Sequence, residues 1–459
     1  MKMSHRSTPS VSLIIGLCLV HIAAHAAVIT CDTMVSDGST DNSKALAAAM
    51  KAAQSEPEKT VIIPAAARAY TVKSILTVPE GVSLVGQEGA KLNASLRLSD
   101  HSVVDNIDFT DGARRVIIGE TSLVTGAKVK NCSFGTSEWT PLLAYRANDC
   151  LVSGNTFSNK KRGGNIIILG GKRNIIRHNS VSGGRTAILF LYSRTSNGGG
   201  YESLIEDNIV EFNTVHDVPR HQYEEGISFD TCGDGPTATA ALEYDKVSSA
   251  NGKQVVLSHA NWAPTGNPSY VGYDMVFLSG DLAGRTRRIT AQSSATFTLD
   301  KSVSGAAKGD EIVIGATFKR NIVRNNIVSS PDLDDAILLY GMAFQNTIES
   351  NTVAKGACIT VLSYDNAVRA KDSVTGTWGR VPCGHNVVRG NTVGGLIKIL
   401  YYGIPEIKGH KNTYAKYYSY GNSVIGNKVS GRICARWQYL NLSGNTGTKD
   451  FRHVHELRH

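Results

Sequence analysis

Two short stretches of this chain concentrate the residues that could do chemistry. The first, HQYEEGISFDTC, carries His221, Tyr223, Glu224, Glu225 and Asp230. The second, DDAILLYGM, carries Asp334, Asp335 and Tyr340. Each acidic pair opens an apolar run of strand length, and strand alternation lets the two runs be aligned through Ile227 and Ile337. That alignment puts Glu225 under Asp335 and Glu224 under Asp334. Parallel strands lie ~4.8 Å apart, so four carboxylates on adjacent rungs would repel strongly. Compensation must come from a cation, from Arg185 one rung earlier, or from a retained proton. A Ca²⁺ ion held by Glu224, Glu225, Asp334 and Asp335 is one solution, since Ca²⁺ gathers carboxylate oxygens. A retained proton is another, and it would make one carboxyl a general acid. Paired carboxyls ~5–5.5 Å apart suit a retaining glycosidase and ~6.5–9.5 Å an inverting one.

Other groups gather around the acids. Arg220, His221 and Tyr223 sit on the segment that enters the acidic strand, and Asp230 points outward at its far end. Together with Glu225 and Asp335 they form the catalytic candidates. Arg185, Tyr192, Tyr340, Tyr364, Lys398 and Tyr402 stand at strand ends, where tyrosine rings can stack on sugar faces and the cations can meet carboxylates. Arg285, Arg287 and Arg288 offer a further basic wall.

The elements that position these residues announce themselves by repetition. Asn-x-apolar-x-x-Asn, then one residue and a Val, occurs at Asn174–Asn179, Asn321–Asn326, Asn346–Asn351, Asn386–Asn391 and Asn422–Asn427, with echoes at Asn155 and Asn445. Each copy is too short for a helix, and its apolar positions alternate. Repeats of this size imply stacked coils, a solenoid of parallel strands. The Asn residues suit turns through their tolerance of left-handed backbone, and stacked amides would form an internal ladder. The expected fold is an all-β, right-handed parallel β-helix. Ile166, Ile188, Ile227, Ile337, Ile359 and Ile397 should form one inward column. Ile168, Phe190, Phe229, Leu339, Val361 and Ile399 should form a second, with Ser228, Thr360 and Lys398 outward between them.

The domain reading follows the same rhythm. Residues 1–26 read as a signal peptide: Lys2 and Arg6, an apolar run, then Ala24-His25-Ala26. The chain is therefore expected to be secreted or periplasmic. Residues 27–75 form an N-terminal cap, with a helix around Ala45–Ala53 started by Asp41-Asn42-Ser43. Coils run over 76–235. Residues 236–316 carry no Asn phrase and alternate as antiparallel strands, an inserted β subdomain. Coils resume over 317–459, ending in a His-rich tail expected to be a loose cap or disordered.

Loss of Lys2 and Arg6 lowers the formal charge from +9 to about +7, compatible with an acidic polymer as partner. No nucleic-acid motif is present, and no segment outside the leader is long and apolar enough to span a bilayer. Seven cysteines remain after cleavage; the odd number leaves at least one unpaired, and no spacing suggests zinc.

The opening DGSTDNSKALAAA, the strand IIPAAARAYTV and the GNTF/GNTV phrase make the mature chain resemble the pectate lyase-like superfamily over nearly its full length. That resemblance implies a carbohydrate-active protein: a polysaccharide lyase, glycoside hydrolase, uronate C5-epimerase or tailspike. The polygalacturonase residue set and the DPHD of alginate epimerases are missing. HDVPRHQYEEGISFDTC is similar to the metal-binding coil of chondroitinase B-like lyases, but Asp230 stands where their Lys would follow. The leading expectation is a secreted lyase cleaving an acidic, uronate-containing polysaccharide by β-elimination. The alternatives are a glycoside hydrolase using the paired carboxylates, a C5-epimerase, and a non-catalytic polysaccharide-binding β-helix.

Overall fold

The computed structural model describes residues 28–109, 115–135, 140–159, 163–191, 204–219, 225–230, 241–258, 269–331, 333–366, 379–402 and 419–456. Alternating Ile, Val, Leu and Phe build short strands that stack in parallel, coil upon coil, into a β-helix. Parallel pairing begins at Ile29–Thr30 and Thr60–Ile63, so strands of the N-terminal segment already belong to the stack. The helix Ser43–Ala53 packs Leu46, Met50 and Ala53 against the first coils. Asp41 Oδ1 accepts the Ser43 N–H (3.0 Å) at its start, whereas Asn42 spends its amide on Val35, Thr40 and Thr71. Among the described residues no helix is long and apolar enough to cross a membrane.

The two inward columns fall as the alternation requires. Ile166, Ile188, Ile227, Ile337, Ile359 and Ile397 pair in register, and so do Ile168, Phe190, Phe229, Leu339, Val361 and Ile399. All are buried. Inside, Phe190 stacks on Phe229 with ring centroids 4.4 Å apart, and Phe109, Phe134 and Phe157 form a second stack. A one-residue slip would turn these side chains outward, so the inward columns and the stacked Asn residues set the register.

Two asparagine ladders run along the axis. In one, Asn174, Asn208, Asn321, Asn346, Asn386 and Asn422 follow one another. In the other, Asn155, Asn179, Asn213, Asn326, Asn351, Asn391, Asn427 and Asn445 do. Each Oδ1 accepts both the backbone N–H and the side-chain amide of the Asn one coil earlier, as Asn351 does from Asn326 at 3.0 Å each. Every Nδ2 but one also donates to a carbonyl, as Asn326 does to Val210 at 2.9 Å, while that of Asn422 donates to the Ser419 hydroxyl at 2.8 Å. Cys150 and Cys132 donate their N–H groups to the first rungs. The left-handed residue is not the ladder Asn but the one before it: Arg173, His178, Asp207, Phe212, Arg320, Asn325, Gln345, Ser350 and His385 all have φ between 54° and 60°. The corner turns at that residue, which leaves the following Asn free to send its amide inward. Six free cysteines are described, five of them buried; burial pushes Cys132 and Cys150 up to about 12, so they act as small apolar residues.

The insertion is a closed antiparallel barrel built from strands between Ala241 and Gly315. The coils stack directly across it: Ile209 pairs with Ile322, and Asn208 donates to Asn321. The barrel is bound to the helix by buried charge. Fully buried Asp274 receives Arg288 Nε at 2.9 Å and, from the helix, Lys319 Nζ at 3.1 Å and the Thr317 hydroxyl. Arg288 also bonds Glu206 of the helix, which Lys172 approaches at 3.4 Å. Burial alone would raise the Asp274 pKa, but Lys319 and then Arg288 overcome it and hold it below the usual carboxylate value. The Tyr420 hydroxyl donates to Leu278 O at 2.8 Å, and a Cβ on Gly284, at φ +79°, would lie 2.6 Å from the Tyr420 ring. Arg288 is therefore a docking residue rather than a groove wall, and Arg287 Nε donates to Ser302 O. At the C-terminus, Thr448–Glu456 pairs in parallel with Arg432–Ser443, so the expected loose tail is a final strand as far as Glu456.

Candidate active site

The acidic strands Glu225–Asp230 and Asp335–Tyr340 lie side by side, with Glu225 paired to Asp335 and Asp230 to Tyr340. Strict alternation would give Glu225 the inward parity of Ile227. The register with the next strand explains why it does not fill the core. Asp335 pairs with Cys358, yet Ile337 pairs with Ile359, so one extra residue enters the strand at Ala336. This bulge moves Asp335 into phase with the outward positions, the re-aiming that bulges provide beside functional sites. Gly226, at the equivalent place one rung earlier, is needed for room: a Cβ there would lie 2.5 Å from Ala336 O.

The two carboxyls then meet different partners. Glu225 Oε2 accepts the Thr186 hydroxyl at 3.0 Å. Burial pushes the Glu225 pKa up to about 8, with the Asp230 charge adding to it and Asp335 adding less; the Thr186 hydrogen bond and Arg185 oppose. Asp335 accepts the Thr360 hydroxyl and faces Lys398 Nζ at 3.4 Å. Burial works against the Lys398 ammonium, but Asp335 and then the Cys358 sulfur outweigh it and hold its pKa above the ordinary lysine value. Burial also raises the pKa of the Cys358 thiol. Between Glu225 and Asp230, Ser228 is fully buried and its hydroxyl has no hydrogen-bond partner among the described residues.

The structure thus brings together Arg185, Glu225, Asp230, Asp335 and Lys398, with Tyr340 beside Asp230. Asp334 is exposed on the turn before the strand. Tyr364 and Tyr402 pair across adjacent strands, and only their backbone is described. Tyr192, Arg220, His221, Tyr223 and Glu224 lie outside the described residues. Among the described residues no group of three or more His, Cys, Asp or Glu could hold a metal ion. Among the described residues, the proton on Glu225 and the ammonium of Lys398 offset part of the negative charge on the acidic rungs. Thr186 and Cys358 were not singled out from the sequence. Thr186 could have been, because it occupies the Glu225 column one coil earlier.

Comparison with known proteins agrees with this architecture. The family described as right handed beta helix region matches residues 94–267. No curated protein matches. Among solved structures, a surface adhesin of Streptococcus pneumoniae, PfbA, superposes with a TM-score of 0.53 at 10% identity, over 93% of this chain and 91% of that one. A family 28 exopolygalacturonase of Yersinia enterocolitica also gives 0.53 at 10% identity, over 93% of this chain and 77% of the other. One neighbour is an adhesin and the other an enzyme, so the likeness establishes the fold and its right-handed coil, and the chemistry must be argued from the site.

Proposed function

We propose, from the premise that this chain is a right-handed parallel β-helix, that it is a secreted glycoside hydrolase acting on an acidic polysaccharide. The observation that carries this reading is the contrast between Glu225, protonated at neutral pH, and Asp335, held by Thr360 and Lys398, on adjacent rungs. A protonated carboxyl can give its proton to the glycosidic oxygen as the bond to the leaving group breaks. Asp335, oriented by the Thr360 hydroxyl, is the second carboxylate. Pairing on adjacent strands keeps the separation of retaining enzymes within reach of the two carboxyls, and in that arrangement the second carboxylate attacks the anomeric carbon. Asp230 helps keep Glu225 protonated. Arg185 and Lys398 favour a uronate beside the cleaved bond.

A second reading, β-elimination, draws on the same two cations, because it needs positive charge at the uronate carboxylate as the C5 proton leaves. In that reading one of the acids near Lys398, or a residue of the Arg220–Tyr223 segment, is the base, and a Ca²⁺ ion at the acidic pairs would assist. The two are separated by incubating the protein with pectate, alginate, glucuronan and glycosaminoglycans. Hydrolysis gives saturated reducing ends. Unsaturated-uronate absorbance would replace it with elimination, and C5 proton exchange without scission would indicate an epimerase. Binding with no chemistry would leave a polysaccharide-binding β-helix.

A further inference from the structure

A second polar cleft lies far from the acids, near the N-terminal end of the stack, with a volume of about 270 Å³. It is close to the lower end of the range for small-ligand pockets, ~300–1,000 Å³. We infer that this cleft is a second carbohydrate-binding site, selective for a neutral, hydroxyl-rich sugar unit.

The chemistry of its walls points there. Arg97 donates from Nε to Glu120 Oε2 at 2.5 Å, which fixes a fork of donors and acceptors across the cleft. Asp100 is anchored on the other side, its Oδ1 accepting the Thr125 N–H at 2.7 Å. The Thr121 and Ser122 hydroxyls and the Glu80 carboxylate complete the polar lining. Sugar hydroxyls both donate and accept, and a lining of this mixed kind can satisfy them. Three acids against one guanidinium disfavour a uronate carboxylate here. These acids do not form a group that could hold a metal ion. Leu123, 38% exposed, lines the cleft and offers apolar area to the C–H face of a sugar ring.

The cleft also lies in line with the acidic site. Arg97 pairs with Ile117, and the same outward column continues through Leu143, Ile167 and Leu189 to Ser228. Five parallel steps of ~4.8 Å place Arg97 about 24 Å from Ser228 along the axis. One extended glycan can therefore occupy both places, with a neutral unit in the cleft and a uronate near Lys398. A polymer containing both sugar types fits this face better than a pure polyuronate. The binding site itself does not depend on whether cleavage occurs at Glu225.

The test uses the full chain on an array of six-unit oligosaccharides, neutral and uronate-containing. Arg97→Ala removes the fork, and Ser122→Trp fills the cleft. The wild type should retain at least one neutral oligohexose, and each variant should bind it at least tenfold more weakly with an unchanged melting temperature. Turnover of the shortest cleaved oligosaccharide should be the same in all three proteins. If Arg97→Ala fails to fold, Ser122→Trp decides alone. Absence of neutral oligosaccharides from the retained set, or retention that filling the cleft leaves untouched, overturns the site. A wild type that hydrolyses nothing but still holds neutral sugars through the cleft would overturn the hydrolase reading and leave this one standing.

Discussion

Glu225 and Asp335 are Cα partners on neighbouring rungs, yet one keeps a proton at neutral pH and the other faces an ammonium. Two equal carboxylates at strand spacing would repel, and the site removes that symmetry through unequal surroundings. Glu225 is half-buried and feels the negative charge of Asp230, while Asp335 reaches Thr360 and Lys398.

The first consequence is a pH profile. A general acid works only while protonated, so kcat/KM should fall as pH rises through about 8, the value to which Glu225 is pushed. Glu225→Gln should lower kcat/KM by at least ~10²-fold and abolish that alkaline limb. A Gln variant with near-wild-type rate would move the acid elsewhere.

Stability should follow the same proton. The folded state holds it up to about 8, while the unfolded chain releases it near 4.5, the ordinary value for a glutamate. Folded protein thus binds more protons between these values, and stability falls as pH rises across the window. Above about 8 the loss is complete and this contribution is flat. Urea unfolding of wild type and Glu225→Gln should therefore diverge with rising pH, the variant being relatively more stable at pH 8. Parallel curves would mean that Glu225 titrates normally.

Chelation separates the two chemistries. With part of the charge on the acidic rungs offset by a proton and Lys398, hydrolysis should survive EDTA within about twofold, since no step needs a metal. Activity that vanishes on chelation and returns with Ca²⁺ would instead support a cation at Glu224, Glu225, Asp334 and Asp335, and with it the elimination reading.

Excision of residues 236–316 with a short linker should leave a folded β-helix, because Asn208 and Asn321 already stack across the gap. Circular dichroism and a cooperative melt check this; loss of folding would make the barrel part of the core. In the intact chain, Asp274→Asn takes the carboxylate from Lys319 and leaves Arg288 with Glu206 alone, and removal of one partner from a buried ion pair costs ~3–5 kcal/mol. Protease nicking of the barrel should accelerate while the coils stay protected.

Asn326→Ala takes the acceptor from the buried Asn213 N–H and removes one partner each from the Asn213 amide, Val210 O and Asn351 Oδ1, although Asn351 Oδ1 keeps the backbone N–H of residue 326 and the Asn213 amide keeps Ile176 O. Buried unpaired groups cost ~1–3 kcal/mol each, so the variant should lose at least about 2 kcal/mol of stability. Asn445→Ala, at the partly buried end of the same ladder, should lose less. Equal losses would show that the ladder does not act rung by rung.

What could be read from the sequence was whatever repeats. The inward Ile and Phe columns and the stacked Asn amides were legible because each recurs on every coil, and the pairing of Glu225 with Asp335 came with them. The bulge at Ala336 was not legible, since an extra residue at a strand's start leaves the apolar alternation after it intact. Nor could the sequence show that Arg288 spends its charge on Glu206, 82 residues away, because nothing local marks a partner in another subdomain. The left-handed corner residue was misassigned by one position because Asn, the usual left-handed residue, happened to stand next to it.

The spacing of the ladders carries one last implication. Successive rungs are 34, 113, 25, 40 and 36 residues apart, and these steps are identical in both ladders. The five residues from one Asn to the other therefore act as a fixed gauge, and all variation in coil length is expelled to the rest of the turn. An insertion as large as a whole barrel leaves the gauge unchanged. Loops around the acids could be lengthened, shortened or exchanged without either row of amides losing step, so the substrate-facing edge of this protein is free to change while its axis stays the same.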